Sequence, residues 1–255
     1  MFDNLTHIGI AGDWHGNTWH AIKTLNEFHK RGIGTIIQLG DFGIWGGQAA
    51  ASYIQKIERT LKKNNQSLYI VLGNHENYEK INSIPVDPQA GLQHYRENIS
   101  FFPRGFRGML GKHSFVALGG ANSIDREWRT PFISWWQEES LTLGDVYNTA
   151  AGGVADIMFC HDAPTGAPVP LSNGSEWSQA GLRYADEGQM MLRQAVDAVK
   201  PQILLHGHYH VFYEGIAYLN DGLVDYETLC IGLDMDDKPN SNVILDAITL
   251  EYQVF

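Results

Sequence analysis

Thr35-Ile36-Ile37-Gln38-Leu39-Gly40-Asp41 decides the fold: a short, nearly unbroken apolar run stops at a glycine and delivers a carboxylate. Runs of this kind suit a strand covered on both faces, and the polar residue that follows sits on a loop past the strand's C-terminal end. The construction recurs. His7-Ile8-Gly9-Ile10-Ala11 leads to Asp13-Trp14-His15, and Leu68-Tyr69-Ile70-Val71-Leu72 leads to Gly73-Asn74-His75-Glu76. Asp13 to Asp41 is 28 residues and Asp41 to Asn74 is 33, each close to one βαβ unit of roughly 30 residues.

Crossover helices fill the intervals. Thr18 to Lys30 carries Ala21, Ile22, Leu25 and Phe28 at 3/4 spacing, and Ala49 to Lys63 carries Tyr53, Ile54, Ile57 and Leu61 likewise. The first opens after Asn17-Thr18, good capping types, and closes at Gly32 after the basic pair Lys30-Arg31. The second half repeats the placement. Asp156 to Cys160 runs into His161-Asp162, and Gln202 to Leu205 runs into Gly207-His208-Tyr209-His210, with Gln189 to Val199 as the helix between. Phe115 to Leu118 enters Gly119-Gly120-Ala121-Asn122, while Gly215 to Tyr218, Leu229 to Leu233, Val243 to Ile248 and Glu251 to Phe255 read as terminal strands. The expectation is an α/β protein, a two-sheet mixed β-sandwich built from βαβ units and flanked by helices, with residues 1–255 forming one domain.

Composition narrows the function. A formal net charge of −11 argues against sequence-independent binding to a nucleic-acid backbone, which relies on Lys and Arg. No run approaches the roughly 18 apolar residues of a membrane span, and the start lacks a basic segment followed by an apolar one, so a cytoplasmic protein is expected. Cys160 and Cys230 sit among apolar neighbours and read as reduced core thiols. Asp234-Met235-Asp236-Asp237 lacks EF-hand spacing and reads as a solvated loop.

The five polar motifs supply carboxylate, amide and imidazole donors and no thiolate, a set able to fill two adjacent coordination spheres of borderline divalent ions. In this order, Asp-x-His, Gly-Asp, Gly-Asn-His-Glu, His and Gly-His-x-His, the chain resembles the calcineurin-like metallophosphoesterases over residues 13 to 210. Gly119 to Arg126, with Trp135-Trp136 and Glu138, is similar to small bacterial and phage members.

That resemblance implies a four-layer αββα fold and assigns roles. Asp13, His15 and His210 would hold one metal and Asn74, His161 and His208 the other, with Asp41 bridging. His75 would face substrate and protonate the leaving oxygen. Mixed ligation of this kind accepts Mn, Fe, Zn, Co or Ni, and Mn is the expected metal. Many family members carry a second Asp three residues after the bridging one, followed by a phosphate-gripping Arg. Here Ile44 and Trp45 stand there. Arg104, Arg126 and Arg129 are therefore the residues considered for a replacement clamp. Lacking the family's Arg, an acidic chain suits phosphodiesters better than dianionic monoesters, with nucleotide-derived esters among the substrates considered. The alternatives are a phosphomonoesterase and a non-catalytic scaffold.

Remaining polar residues divide two ways. His206 reads as a hydrogen-bonded core group or one that supports a ligand; Glu76 and Asp162 read as imidazole-orienting or solvent-facing. Trp135-Trp136 reads as core, and Ala163 to Ser178, containing Trp177, as a substrate rim or a plain surface loop.

Overall fold

The computed structural model describes residues 2–170 and 176–255, so residues 171–175 of the expected rim lie outside the described part. The first half runs β1 His7–Ala11, α1 Thr18–Lys30, β2 Thr35–Gln38, α2 Gly47–Asn64, β3 Ser67–Ile70 and α3 Tyr78–Asn82. Four short strands follow: β4 Gln93–Arg96, β5 Ile99–Phe101, β6 Phe106–Leu110 and β7 His113–Leu118. The second half is α4 Leu143–Ala151, β8 Ile157–Cys160, α5 Gln179–Val199 and β9 Ile203–His206. It closes with β10 Tyr213–Asn220, β11 Asp225–Gly232, β12 Asn242–Asp246 and β13 Tyr252–Val254.

Two mixed sheets result. One has the order β13-β12-β1-β2-β3-β5-β4, the other β10-β11-β9-β8-β7-β6. Strands β1, β2, β3 and β5 are parallel, as are β7, β8, β9 and β11, which is the arrangement helical crossovers build. Between the sheets lies a shared core. Ile8, Ile10, Ile37 and Val71 face Phe115, Phe159, Leu205 and Ile231 across it. Outside, Leu25, Phe28, Ile57 and Leu61 of α1 and α2 cover one sheet, while Val146, Leu192 and Val196 of α4 and α5 cover the other. The expected αββα layering is present.

Helix α1 has the expected bounds because its start and stop signals both operate: the Asn17 side chain accepts from the His20 N–H, and the chain turns at Gly32 with φ +76°. Helix α5 is ten residues longer than its apolar pattern suggested. Gly181 and Gly188 interrupt the hydrophobic spacing yet stay helical. Strands β4 to β6 escaped the sequence reading, being three to five residues long and largely polar or aromatic. Among the described residues no helix is long and apolar enough to cross a membrane.

Candidate metal centre

Five loops, three from the first sheet and two from the second, bring the motif residues together at the C-terminal ends of β1, β2, β3, β8 and β9. That is where open α/β sheets place ligands. Asp13 Oδ2 stands 3.3 Å from His210 Nε2 and 3.9 Å from His15 Nε2. Asp41 turns one oxygen toward His15 Nε2, at 3.6 Å, and the other toward His161 Nε2, at 3.4 Å. The Asn74 Oδ1 lies 2.9 Å from the same His161 nitrogen. Neighbouring donors on a cation with bonds of about 2.1 Å are themselves roughly 3 to 3.5 Å apart, so the spacing suits shared ions. Asp13, His15 and His210 form one candidate metal-binding group, and Asp13, Asp41 and His161 form a second. The His208 ring lies 4.9 Å from that of His161, and its backbone N–H donates to Asp13.

The backbone is bent to achieve this. His15, Asp41, His208 and His210 all have positive φ, between 42° and 69°, a region that costs non-glycine residues of order 1 kcal/mol or more. Gly207 is required beside them, because a Cβ there would collide with Asp13 Oδ1.

Surrounding groups aim the donors. His161 Nδ1 donates to the Leu39 carbonyl at 2.7 Å, which turns Nε2 toward Asn74 and Asp41. His15 Nδ1 contacts Asp236 Oδ1 at 2.8 Å, freeing its Nε2 for the Asp13 and Asp41 side. The Asn74 amide nitrogen donates to Ser123 Oγ, which in turn donates to the buried Glu139 carboxylate at 2.6 Å. This relay fixes which end of the amide points inward.

Charge is concentrated and buried. Burial disfavours the charged form of Asp41, yet His161, His75 and His15 outweigh it and hold the carboxyl well below its usual range. The same carboxylates overcome burial at the imidazoles, lifting His15 to about 9 and His161 to about 10. At His206 and Asp162 burial outweighs the neighbouring groups instead, moving His206 down to about 4 and Asp162 up to about 6. Both are held inside: His206 Nε2 meets the Tyr213 hydroxyl at 2.6 Å, and the Tyr209 hydroxyl donates to Asp162.

Glu76 does neither of the two things considered for it. Fully buried, it accepts the backbone N–H groups of Phe42, Gly43 and Ile44 and so clamps the Asp41 loop. Burial, reinforced by Asp41, pushes its carboxyl up to about 7. The acidic loop near the C-terminus is likewise more than solvated surface, since Asp236 also accepts from Asn17 Nδ2 at 2.7 Å.

His15, Asp41, Asn74, His75, His208 and His210 line one cavity of about 810 Å³ together with Arg129. The Arg129 guanidinium meets His75 Nε2 at 2.5 Å and pairs with Asp125 at 2.7 Å. His75 is thus held where the family's second Asp is missing, and the Trp45 indole N–H, donating to the His75 carbonyl at 2.7 Å, fixes its backbone. The structure brings neither of the other two arginines to this cavity. Arg104 donates to the carbonyls of Gly119, Glu138, Glu139 and Ser140, and Arg126 lies over the Trp135 and Tyr184 rings. Ser123 and Asp125 fall in the Gly119 to Arg126 stretch, yet like Asp236 and Glu139 they were not legible as site residues, because each acts through a side chain remote in sequence or hidden in a loop.

The family model of calcineurin-like phosphoesterases matches residues 6–212, and the chain belongs to that family of dimetal-dependent phosphoester hydrolases. Similar solved structures include the Thermus thermophilus protein TT1561, 11% identical, with TM-score 0.53 and 98% of this chain and 99% of that one covered. A dimetal phosphatase from Danio rerio is also 11% identical, with TM-score 0.54 and 93% and 91% covered. At such identity the likeness concerns the fold. No curated protein sequence matches the chain.

Proposed function

We propose that the chain hydrolyses phosphodiesters. Asp13, His15 and His210 would hold one divalent ion and Asn74, His161 and His208 the other, with Asp41 shared and Mn the expected metal in both places. Bound there, the pair of ions would lower the pKa of an attacking water and neutralise charge on the phosphoryl oxygens. The protein's own residues do the rest. Arg129 can hold one non-bridging oxygen and, in turning to it, would release His75 Nε2, whose ring lies on the same cavity wall and, once protonated, can deliver a proton to the departing oxygen.

The observation that carries the preference for diesters is the pairing of Arg129 with Asp125. Much of the guanidinium charge is already countered, which suits a monoanionic diester better than a dianionic monoester. The same guanidinium favours the second reading, a phosphomonoesterase, to the extent that it releases Asp125 on binding. A metal-reconstituted comparison of a bis-aryl phosphodiester with its aryl monoester at neutral pH separates the two. Faster diester turnover supports the proposal, the reverse order supports the monoesterase, and no turnover of either with any first-row divalent ion supports a scaffold. We place the protein, as a single domain, in the cytoplasm.

A further inference from the structure

Opposite the ligand loops, the cavity is walled by α5. Leu182, Ala185, Asp186 and Gln189 lie at i, i+3, i+4 and i+7, one stripe of the helix, and all four face the cavity. Two glycines hold the helix there. Gly181 and Gly188, one heptad apart, each cost about 1 kcal/mol relative to Ala in a helix. A Cβ at Gly181 would collide with the Ile124 carbonyl, and one at Gly188 would come within 2.9 Å of Asn122 Cγ. Both glycines therefore let α5 press onto the 122–124 loop, which aligns its exposed stripe with the metal centre.

The wall has a distinct chemistry. Its body is apolar, with Ile124, Leu182 and Ala185 joined by the Trp177 ring, which packs against Trp128 at a centroid distance of 5.4 Å. Its charge is acidic. Among the described lining residues Arg129 is the one Lys or Arg, and it sits at the metal end against His75 and Asp125, whereas Asp186 lies on the helix. The N-terminal pole of α5 is already taken, because the Ser178 hydroxyl accepts from the Gly181 N–H and donates to Glu127. Nothing on this wall, among the described residues, offers countercharge to a further phosphate or a carboxylate.

We propose that this wall binds the ester substituent of the substrate and selects one that is apolar and cationic, an alkylammonium alcohol of the choline type. The inference rests on the phosphodiesterase reading and names its substrate class. The Trp177 face and the Asp186 carboxylate attract the ammonium, and the aliphatic side chains cover its methyl groups.

Three p-nitrophenyl phosphodiesters test this on the full chain reconstituted with Mn. Their second ester groups are choline, 3,3-dimethylbutyl, which is its uncharged isostere, and 3-carboxypropyl. The choline ester should exceed the dimethylbutyl ester in kcat/KM by about fivefold or more, chiefly through KM, and the carboxylate should be the poorest. Asp186→Asn and Trp177→Ala should each narrow the gap between the first two without loss of bound metal. Equal rates for the first two, or preference for the carboxylate, would overturn the inference while leaving the phosphodiesterase reading standing. If none of the three is turned over, that reading fails, and calorimetric titration with choline phosphate and 3,3-dimethylbutyl phosphate still decides the wall. Tighter binding of choline phosphate supports the assignment; equal or weaker binding overturns it.

Discussion

The Glu76 carboxylate accepts the Ile44 backbone N–H at 2.8 Å, in the very stretch where an Asp side chain would orient the catalytic histidine in many relatives. Two further N–H groups, of Phe42 and Gly43, complete the clamp, so a buried carboxyl group and not a side chain at position 44 fixes the turn after Asp41. Glu76→Gln should lower stability by about 2 to 3 kcal/mol, since an amide offers one acceptor and turns its own donors on the peptide N–H groups. Chemical denaturation of the metal-loaded protein measures this; an unchanged midpoint would mean that the turn holds without Glu76.

His15 and Asp41 separate by metal stoichiometry. Asp41→Asn should reduce bound metal at both positions, whereas His15→Ala should mainly weaken one. Asp236→Asn, which keeps the shape but loosens the grip on His15 Nδ1, should cost about 10- to 100-fold in affinity at the His15 position and spare the other. Mass spectrometry of the loaded proteins and competitive metal titration supply the counts. Two tight ions in Asp41→Asn would remove Asp41 as the shared ligand.

A pH-dependent stability term belongs to Glu139, which reaches Asn74 only through Ser123. Burial raises its carboxyl from 4.5 to about 6, against hydrogen bonds from Ser123 and Trp135 that lower it. With the folded value above the unfolded one, the contribution is fully present below about pH 4.5 and is lost as pH rises through about 6. Melting curves should therefore show wild-type stability falling relative to Glu139→Gln across that window. A flat difference would place the Glu139 pKa at its ordinary value.

For His75, the expected signature lies in the leaving group. His75→Ala should retain both metals and lose on the order of 10² to 10⁴ in rate on esters with alkoxide leaving groups, with far smaller losses on aryl esters. Rates plotted against leaving-group pKa read this directly. Equal losses across the series would assign His75 to stabilising charge at the phosphoryl group, and missing metal would put it in the coordination sphere.

The parts of the site visible in the sequence are those that follow an apolar run. Asp13, Asp41, Asn74, His161 and His208 each come within a few residues of a strand whose burial is written in a short, nearly continuous apolar run, so their loops could be placed before their contacts were known. What aims them could not. Asp236 is 221 positions from His15, and Ser123 is 49 from Asn74, separations across which no periodicity carries information. Glu76 was visible, but its partners are peptide groups, which every residue possesses and no motif marks. Helix α5 extends beyond its legible part for a related reason: before Gln189 the apolar spacing is interrupted by Gly181 and Gly188, which are tolerated in the helix through contacts with another loop.

Three of the five ligand loops hang from one sheet and two from the other, and the core between the sheets is an apolar face without directional bonds. Cations held jointly by Asp13 or Asp41 and by His161, His208 or His210 would rivet the two layers at one edge. Ion occupancy would then add to the hydrogen bonds that already join His161 to Leu39 and His208 to Asp13 between the layers, and would stiffen the register of α5 against the Asp13 and Asp41 loops.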